Sequence, residues 1–379
     1  MNNPLSFRFG DYTSNVHFTS SIEPSRFSAD SGVVLVFDRN TARIPAFAGA
    51  AAVGGASSDD GTPSAARRPS VAGTPAEEGP STARLVLAPG EGSKSWSGAR
   101  RILGRALDAG LGRDGLIVGI GGGMICDLAA FGASLYMRGC RLFLVPTSLL
   151  AMVDAAIGGK TAINYGGYKN MAGTFYPAER ICIAVSVLKS LPEREFRSGM
   201  GEVIKTALLG DTALLDMLSS RKERILERDP GLMEETVRRC ILVKARIVEE
   251  DLRETGRRAF LNLGHTFAHA VEAVSGYKLW SHGEAVAWGL VQAAALSERL
   301  GLADSGYTKA VGDLVRMYGF DLRIRLTPES IVEAMRSDKK KRQGKLRLVL
   351  QRGIGDTVVR EVDPRLVAET LQRPSRNFS

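Results

Sequence analysis

Apolar and polar positions along the chain change their period near residue 192. Before that point, short continuous apolar runs bounded by turn residues alternate with helical patterns. "GVVLVFDRNTARI", residues 32 to 44, predicts a buried strand that leaves through a turn with Asp38 and Asn40 at its exit. "ARLVLAPGEGSKSW" predicts a short strand running into a Gly-rich turn, followed by a helix that ends near "LDAGLGRDG". "GLIVGIGGGMICDLAAFGASLYM", residues 115 to 137, begins as a strand, passes through Gly119, Gly121, Gly122 and Gly123, and becomes an apolar helix. A further apolar strand, "RLFLVPTSLLAMVDAAIG", follows at once. Continuous apolar strands alternating with helices predict an α/β unit with a mainly parallel sheet covered on its faces.

Beyond residue 192 the texture is helical. "MGEVIKTALLGDTALLDML", "MEETVRRCILVKARIVEEDL" and "AVAWGLVQAAALSERLGLA" carry long helical periodicity, and no strand run interrupts residues 194 to 317. The expected division is an α/β domain over 1–192 and a mostly α-helical domain over 193–379, as a length of 379 residues suggests. Residues 48–83, small residues with proline and charge, bury almost nothing and read as a disordered insertion.

Composition narrows the partners. The formal charge of +9 is compatible with nucleic acid, an anionic membrane or small anions. The basic runs "RRPS", "SSRKERILER" and "SDKKKRQGKLR" have no interleaved aromatics, which disfavours nucleic acid and favours a phosphorylated or carboxylated small molecule. The four cysteines lie at least 14 residues apart without a CxxC and read as reduced core residues. No secretory signal or run of 18 apolar residues is found, so the expectation is a soluble cytoplasmic protein without membrane partners.

Three segments carry candidate chemistry. The glycines after the 115–121 strand let backbone approach a pyrophosphate at a helix N-terminus, a Rossmann-like device, although G-I-G-G-G-M departs from GxGxxG. "VDAAIGGKTAINYGGYKNMAG" sets Asp154, Lys160, Lys169 and Asn170 among glycines, as an anion pocket would. Glu202 and Lys205 in "GEVIK" share a helical face, as a surface ion pair or an inward acid and cation. "LNLGHTFAHAVEAVSGYKLWSHGEAVAWG" holds three of the four histidines, with His265 and His269 one turn apart and His282 opening a helix that Ser281 and Glu284 would cap. Three imidazoles could hold zinc with one position open, or Glu202 could replace one of them.

The blocks "GGGMICDLAAFGASLYMRG", "VPTSLLAMVDAAIGGKTAIN", "KNMAGTFY", "LPEREFRSGMGEVIKTALL", "LNLGHTFAHAVE" and "HGEAVAWG", in this order, resemble the 3-dehydroquinate synthase family of sugar-phosphate cyclases, distant relatives of polyol dehydrogenases. The resemblance implies conversion of 3-deoxy-D-arabino-heptulosonate 7-phosphate to 3-dehydroquinate and phosphate. The route is transient oxidation on NAD, phosphate elimination, re-reduction, ring opening and aldol closure. It implies a divalent metal, zinc or else cobalt, on Glu202, His265 and His282, with His269 in the substrate-phosphate pocket. Asp154, Lys160, Lys169, Asn170, Lys205, Lys244, Arg258 and Asn262 match other substrate or catalytic positions, and Lys340 of "DKKKR" completes anion binding. Arg138 is expected to reach the site of the neighbouring subunit in a homodimer. For NAD it implies Asp38, Asn40, Glu91, Lys94, Gly122, Gly123, Asp127, Thr147, Ser148, Ser190 and Leu191, together with Asp154 and Lys169.

"NYGGYKN" departs from the His-Pro-Leu-Gly-like segment of many family members, which bears on substrate fit. The rival readings are a cyclase for sedoheptulose 7-phosphate or glucose 6-phosphate, an NAD-dependent polyol dehydrogenase, and an inactive binding protein on the same scaffold. Retention of Lys244, Arg258, Asn262 and His269 favours the sugar acid, because related cyclases tend to change this group.

Overall fold

The structure, a computed structural model, describes residues 4–48, 82–276, 279–338 and 345–372. Residues 49–81 of the expected insertion lie outside the described residues. The first half forms β1 (Leu5–Phe9), β2 (Tyr12–Phe18), β3 (Val33–Asp38), α1 (Pro45–Ala48), β4 (Thr82–Leu87), α2 (Trp96–Asp108), β5 (Leu116–Gly121), α3 (Gly123–Leu135), β6 (Arg141–Pro146), β7 (Lys160–Tyr165), β8 (Tyr168–Phe175) and β9 (Arg180–Ile183). Seven strands make one sheet in the order β1-β2-β9-β6-β5-β3-β4, and every pair but β1 with β2 is parallel. All six residues of β3 and of β5 are buried, as continuous apolar runs between two helical layers require.

The chain runs from β3 outward to β4 and returns past β3 to β5. The direction of winding therefore reverses between β3 and β5, and the crevice at their carboxyl ends is where an open α/β sheet receives a ligand. Asp38 ends one of these strands and the Gly121 to Gly123 turn follows the other.

The second half contains α4 (Glu193–Leu208), α5 (Thr212–Ser220), α6 (Lys222–Leu226), α7 (Pro230–Glu250), α8 (His265–Val274), α9 (His282–Arg299), α10 (Ser305–Met317), α11 (Pro328–Asp338), β10 (Leu346–Gly353), β11 (Asp356–Val362) and α12 (Pro364–Gln372). It is largely helical, with one antiparallel hairpin of β10 and β11 near its end. Gln351 seats this hairpin: its backbone N–H donates to Ser297 at 3.2 Å and its side chain donates to the Leu208 carbonyl at 2.8 Å. A second hairpin, β7 with β8, stands apart from the main sheet and carries the segment read from the sequence as a pocket loop. Its β8 is exposed along nearly all of its length, so no apolar alternation marks it as a strand.

Candidate metal and anion site

Glycines decide where the helices of the second half cross. A Cβ on Gly283 would lie 1.8 Å from the Ser198 carbonyl oxygen, and one on Gly289 would lie 2.2 Å from that of Gly264. Only glycine permits these backbone approaches, of α9 to α4 and of α9 to the start of α8. Together they set Glu202 of α4, His265 at the start of α8 and His282 at the start of α9 side by side. Ser281 and Glu284 form the expected capping box, which fixes where α9 begins.

The Nε2 atoms of His265 and His282 lie 3.4 and 3.3 Å from Glu202 Oε1. The three ligand atoms fall within 4.8 Å of one another. Both Glu202 oxygens are buried, and although Lys205 stands in ion-pair contact, neither oxygen receives a well-aligned hydrogen bond. The Lys205 ammonium offsets part of the cost of burying this carboxylate, while its oxygens remain short of hydrogen-bond donors. Burial alone would raise the Glu202 carboxyl, but Lys205 and His265 hold it well below its usual range. Burial alone would lower His282, yet the contacts of Glu202 and Glu272 outweigh it and raise the imidazole to about 10. One carboxylate oxygen and two imidazole nitrogens within 4.8 Å of one another form a set that a divalent metal would fit.

His269, one turn beyond His265, has its ring centroid 5.6 Å from that of His265 and 6.5 Å from that of His282. Burial, with the His265 ring beside it, pushes His269 down to about 4, so it is neutral at pH 7. The spacing read from sequence as a possible ligand pair thus places His269 next to the carboxylate and the two ligand-like histidines.

Beside this cluster a cavity of about 510 Å³ opens between the halves, lined by Asp127, Asp154, Lys160, Asn170, Lys244 and Arg258 among others. Asp154 lies on a π-helical turn, Ala151–Ala155, a distortion frequent at functional sites. Lys244 of α7 pairs with its carboxylate and also donates to its backbone carbonyl at 2.7 Å. Burial would raise Asp154, but Lys244 holds it below its ordinary value, as an anion. Arg258 is 1% exposed and donates to the Gly158 carbonyl at 3.0 Å. Glu254 pairs with Lys160 and accepts from Asn262 at 2.5 Å. The cavity is therefore rimmed by cations anchored on neighbouring carboxylates and carbonyls. Lys205 is buried against Glu202 and Lys169 lies 3.6 Å from Glu272, so both face the metal side.

Of the expected cofactor residues, Asp38 ends β3, Gly122 and Gly123 follow β5, and Thr147 and Ser148 follow β6, all at the carboxyl ends beside the winding reversal. A Cβ on Gly122 would meet nothing closer than Ser148 Oγ at 3.5 Å, which leaves room for a ligand against the N-terminus of α3, and Gly123 begins that helix. Thr147 N–H donates to the Gly121 carbonyl at 2.9 Å. Asp38 Oδ1 accepts the N–H groups of Asn40 and Thr41 at 2.8 Å each. Lys94 is buried between Asp127 and Asn170, at 2.5 Å from each, and so ties α3 to β8. Glu91 accepts from Asn164 at 2.9 Å. The carbonyls of Leu188, Lys189 and Leu191 converge on Arg228, which fixes the strap containing Ser190 and Leu191. Arg138 is exposed beyond the end of α3 and outside the cavity lining. Lys340 lies outside the described residues.

Comparison with known proteins decides the lineage. Residues 84–198 match the family described as 3-dehydroquinate synthase N-terminal, and residues 199–341 match its C-terminal counterpart. The 3-dehydroquinate synthase of Acidithiobacillus ferrooxidans is 44% identical over 290 residues, spanning 76% of this chain and 80% of that one. That of Thermococcus kodakarensis is 44% identical over 290 residues, spanning 76% and 81%. The chain belongs to the 3-dehydroquinate synthase family. Solved structures share the fold: 2-epi-5-epi-valiolone synthase from Streptomyces hygroscopicus with NAD+ and Zn2+ bound has a TM-score of 0.81 at 24% identity, covering 97% of this chain and 98% of that chain. 2-Deoxy-scyllo-inosose synthase complexed with carbaglucose-6-phosphate, NAD+ and Co2+ has a TM-score of 0.78 at 23% identity, covering 98% of this chain and 100% of that chain.

Four polar residues at the site of this 3-dehydroquinate synthase family member escaped the sequence reading: Asn164, Arg228, Glu254 and Glu272. Glu272 had a legible signal, since His265, His269 and Glu272 follow an i, i+4, i+7 stripe on α8. Glu254 and Arg228 sit in turns whose partners are distant in sequence, and no spacing marks them.

Proposed function

We propose that the protein is a 3-dehydroquinate synthase, converting 3-deoxy-D-arabino-heptulosonate 7-phosphate to 3-dehydroquinate and phosphate with NAD and one divalent metal. The observation that carries this reading is the junction of a buried Glu-His-His cluster with a cation-rimmed cavity, beside the crevice where the sheet reverses its winding. Glu202, His265 and His282 would hold the metal, zinc by its ligand set and cobalt as a substitute. Bound metal and NAD supply Lewis-acid polarisation of a secondary hydroxyl and reversible hydride acceptance.

The chain's own residues bind and orient. Lys160, Lys244, Arg258 and Lys340 offset the carboxylate and phosphate charge of the sugar acid, and Asn262 with neutral His269 offers hydrogen bonds to the phosphate. Holding these anions in a shielded cleft strengthens each contact and fixes a flexible substrate for successive steps. Asp154, kept ionised by Lys244, stands between the cavity and the metal cluster. Lys94 and Asn170 bring the cofactor crevice and substrate cleft together. We place the domain division at 192/193 and infer a cytoplasmic homodimer in which Arg138 enters the partner's site. Four free cysteines accord with a reducing compartment, and no described helix is long and apolar enough to cross a membrane.

The deciding assay is release of inorganic phosphate from the heptulosonate 7-phosphate. Release that requires NAD and divalent metal, with no net NADH, is expected; its absence under those conditions overturns the proposal. Glu202→Gln and His282→Ala should each lose bound metal and turnover together, by about a thousandfold in turnover. Normal metal content in both variants would refute the ligand assignment.

A further inference from the structure

Glu272 is a buried carboxylate to which the proposed chemistry assigns no part. It is 5% exposed, two turns beyond His265 on α8. Its Oε1 lies 3.6 Å from His282 Nδ1 and 3.6 Å from Lys169 Nζ. Burying a carboxylate is costly, so its position calls for a partner that repays the loss of water. The two partners belong to different halves of the molecule: His282 opens α9, and Lys169 lies on β8.

The contrast with His265 shows what the carboxylate does. His265 Nδ1 faces the Leu263 carbonyl at 3.2 Å, and its Nε2 points to Glu202. His282 also points Nε2 to Glu202, and its Nδ1 faces Glu272. An imidazole can ligate through Nε2 only when the proton sits on Nδ1, and an acceptor at Nδ1 selects that tautomer and fixes the ring plane. A carbonyl performs this for one ligand and a carboxylate for the other.

We infer that Glu272 is a positioning residue that sets the tautomer and orientation of His282 for metal binding, and that the same oxygen holds Lys169 toward the site. The inference rests on the proposed metal reading. It makes the hairpin lysine and the metal ligand share one anchor, so loss of the carboxylate acts on both.

The test uses the full-length protein and its Glu272→Gln and Glu272→Ala variants, with zinc affinity measured by competition against a chromophoric chelator at pH 7. Affinity should fall about 100-fold in the alanine variant and about 10-fold in the glutamine variant, whose amide oxygen still faces Nδ1 but without charge. The visible absorption of the cobalt-loaded variants should shift as the ring loses its fixed orientation. With saturating zinc, the alanine variant should recover most of its kcat while KM for the sugar acid stays raised, because Lys169 has lost its contact with Glu272. Zinc affinity in the glutamine variant within about twofold of the unaltered protein overturns the inference, whether or not the alanine variant folds. An unaltered protein that binds no zinc instead overturns the metal reading on which the inference stands.

Discussion

Asp251 shows how one side chain shapes the site from outside it. Its carboxylate accepts the backbone N–H groups of Thr255, Gly256 and Arg258 at 2.9, 2.8 and 3.0 Å, closing the turn that delivers Arg258 to the cavity. Burial opposes the charge, but these donors outweigh it and bring the carboxyl from 3.8 to about 2. A folded-state value below the unfolded one means that the stabilisation is complete above 3.8 and is lost as pH falls through about 2. Asp251→Ala should lower the melting temperature by a few degrees at pH 7, and by progressively less as pH falls toward 2. KM for the anionic substrate should rise roughly tenfold as Arg258 loses its seat. Melting curves against pH and steady-state kinetics check both; a wild-type KM would show that Arg258 holds its place without this turn. At this scale the sequence was readable where residues share an element. The His265 and His269 pair, and the Ser281 and Glu284 cap, follow from helical spacing alone. The choice of Glu202 as the third member of the cluster does not, because it depends on where α4 crosses α9. The signal for that crossing, glycine at 283 in "HGE" opposite Ser198, is a tertiary contact with no periodicity of its own.

The β7–β8 hairpin lies along the cavity, and Asn164 is its pivot. The strand pairing shifts register between Ile163 and Tyr165, so Asn164 sits at the irregularity. Its backbone N–H donates to the Lys94 carbonyl at 2.8 Å, its amide group donates to Glu91 at 2.9 Å, and its Oδ1 accepts Asn170 N–H at 3.0 Å. Asn170 is thereby held at φ +54°, a left-handed conformation that asparagine tolerates better than most residues. Asn164→Ala should release Asn170 and with it Lys169, raising KM for both NAD and sugar acid about tenfold while thermal stability changes little, since the outer strand is exposed. A large fall in melting temperature with unchanged KM would instead make Asn164 a folding residue. Buried strands such as β3 and β5 were legible because they lie between helical layers and are apolar throughout. This hairpin was not, because its residues face solvent or ligand, and the glycines that suggested a pocket also concealed the strands. The β10–β11 hairpin was likewise hidden within a half whose dominant pattern is helical.

Across the whole molecule, the same charges that line the site also tie the halves together: Lys244 to Asp154, Arg258 to the Gly158 carbonyl, Glu254 to Lys160 and Glu272 to Lys169. A division into sheet and helices was therefore readable from texture; the Glu202, His265 and His282 cluster belongs to the second half, but the cavity beside it is lined from both and forms only when both are folded. The proposed homodimer extends this logic beyond one chain. Arg138 and its neighbour Met137 both adopt left-handed backbone, at φ +67° and +48°, and both are exposed. Two adjacent non-glycine residues in this region are costly, which suits a turn held for a purpose outside its own subunit. The outer strand nearby is tied to the end of α3 by Thr174 donating to Ser134 at 3.0 Å, and its Met171 and Phe175 line the cavity. If Arg138 serves the partner's site, Arg138→Ala and Asp154→Asn should each be inactive as homodimers yet complement one another. A mixed dimer has one pocket with its own Asp154 intact and an intact Arg138 arriving from the other subunit. Random pairing of equal amounts makes half the dimers mixed, and each restores one of two sites, so co-expression should recover about a quarter of wild-type turnover. Recovery should follow the fraction of mixed dimer separated by differential tags, and a mixed dimer as inactive as its parents would confine Arg138 to its own subunit.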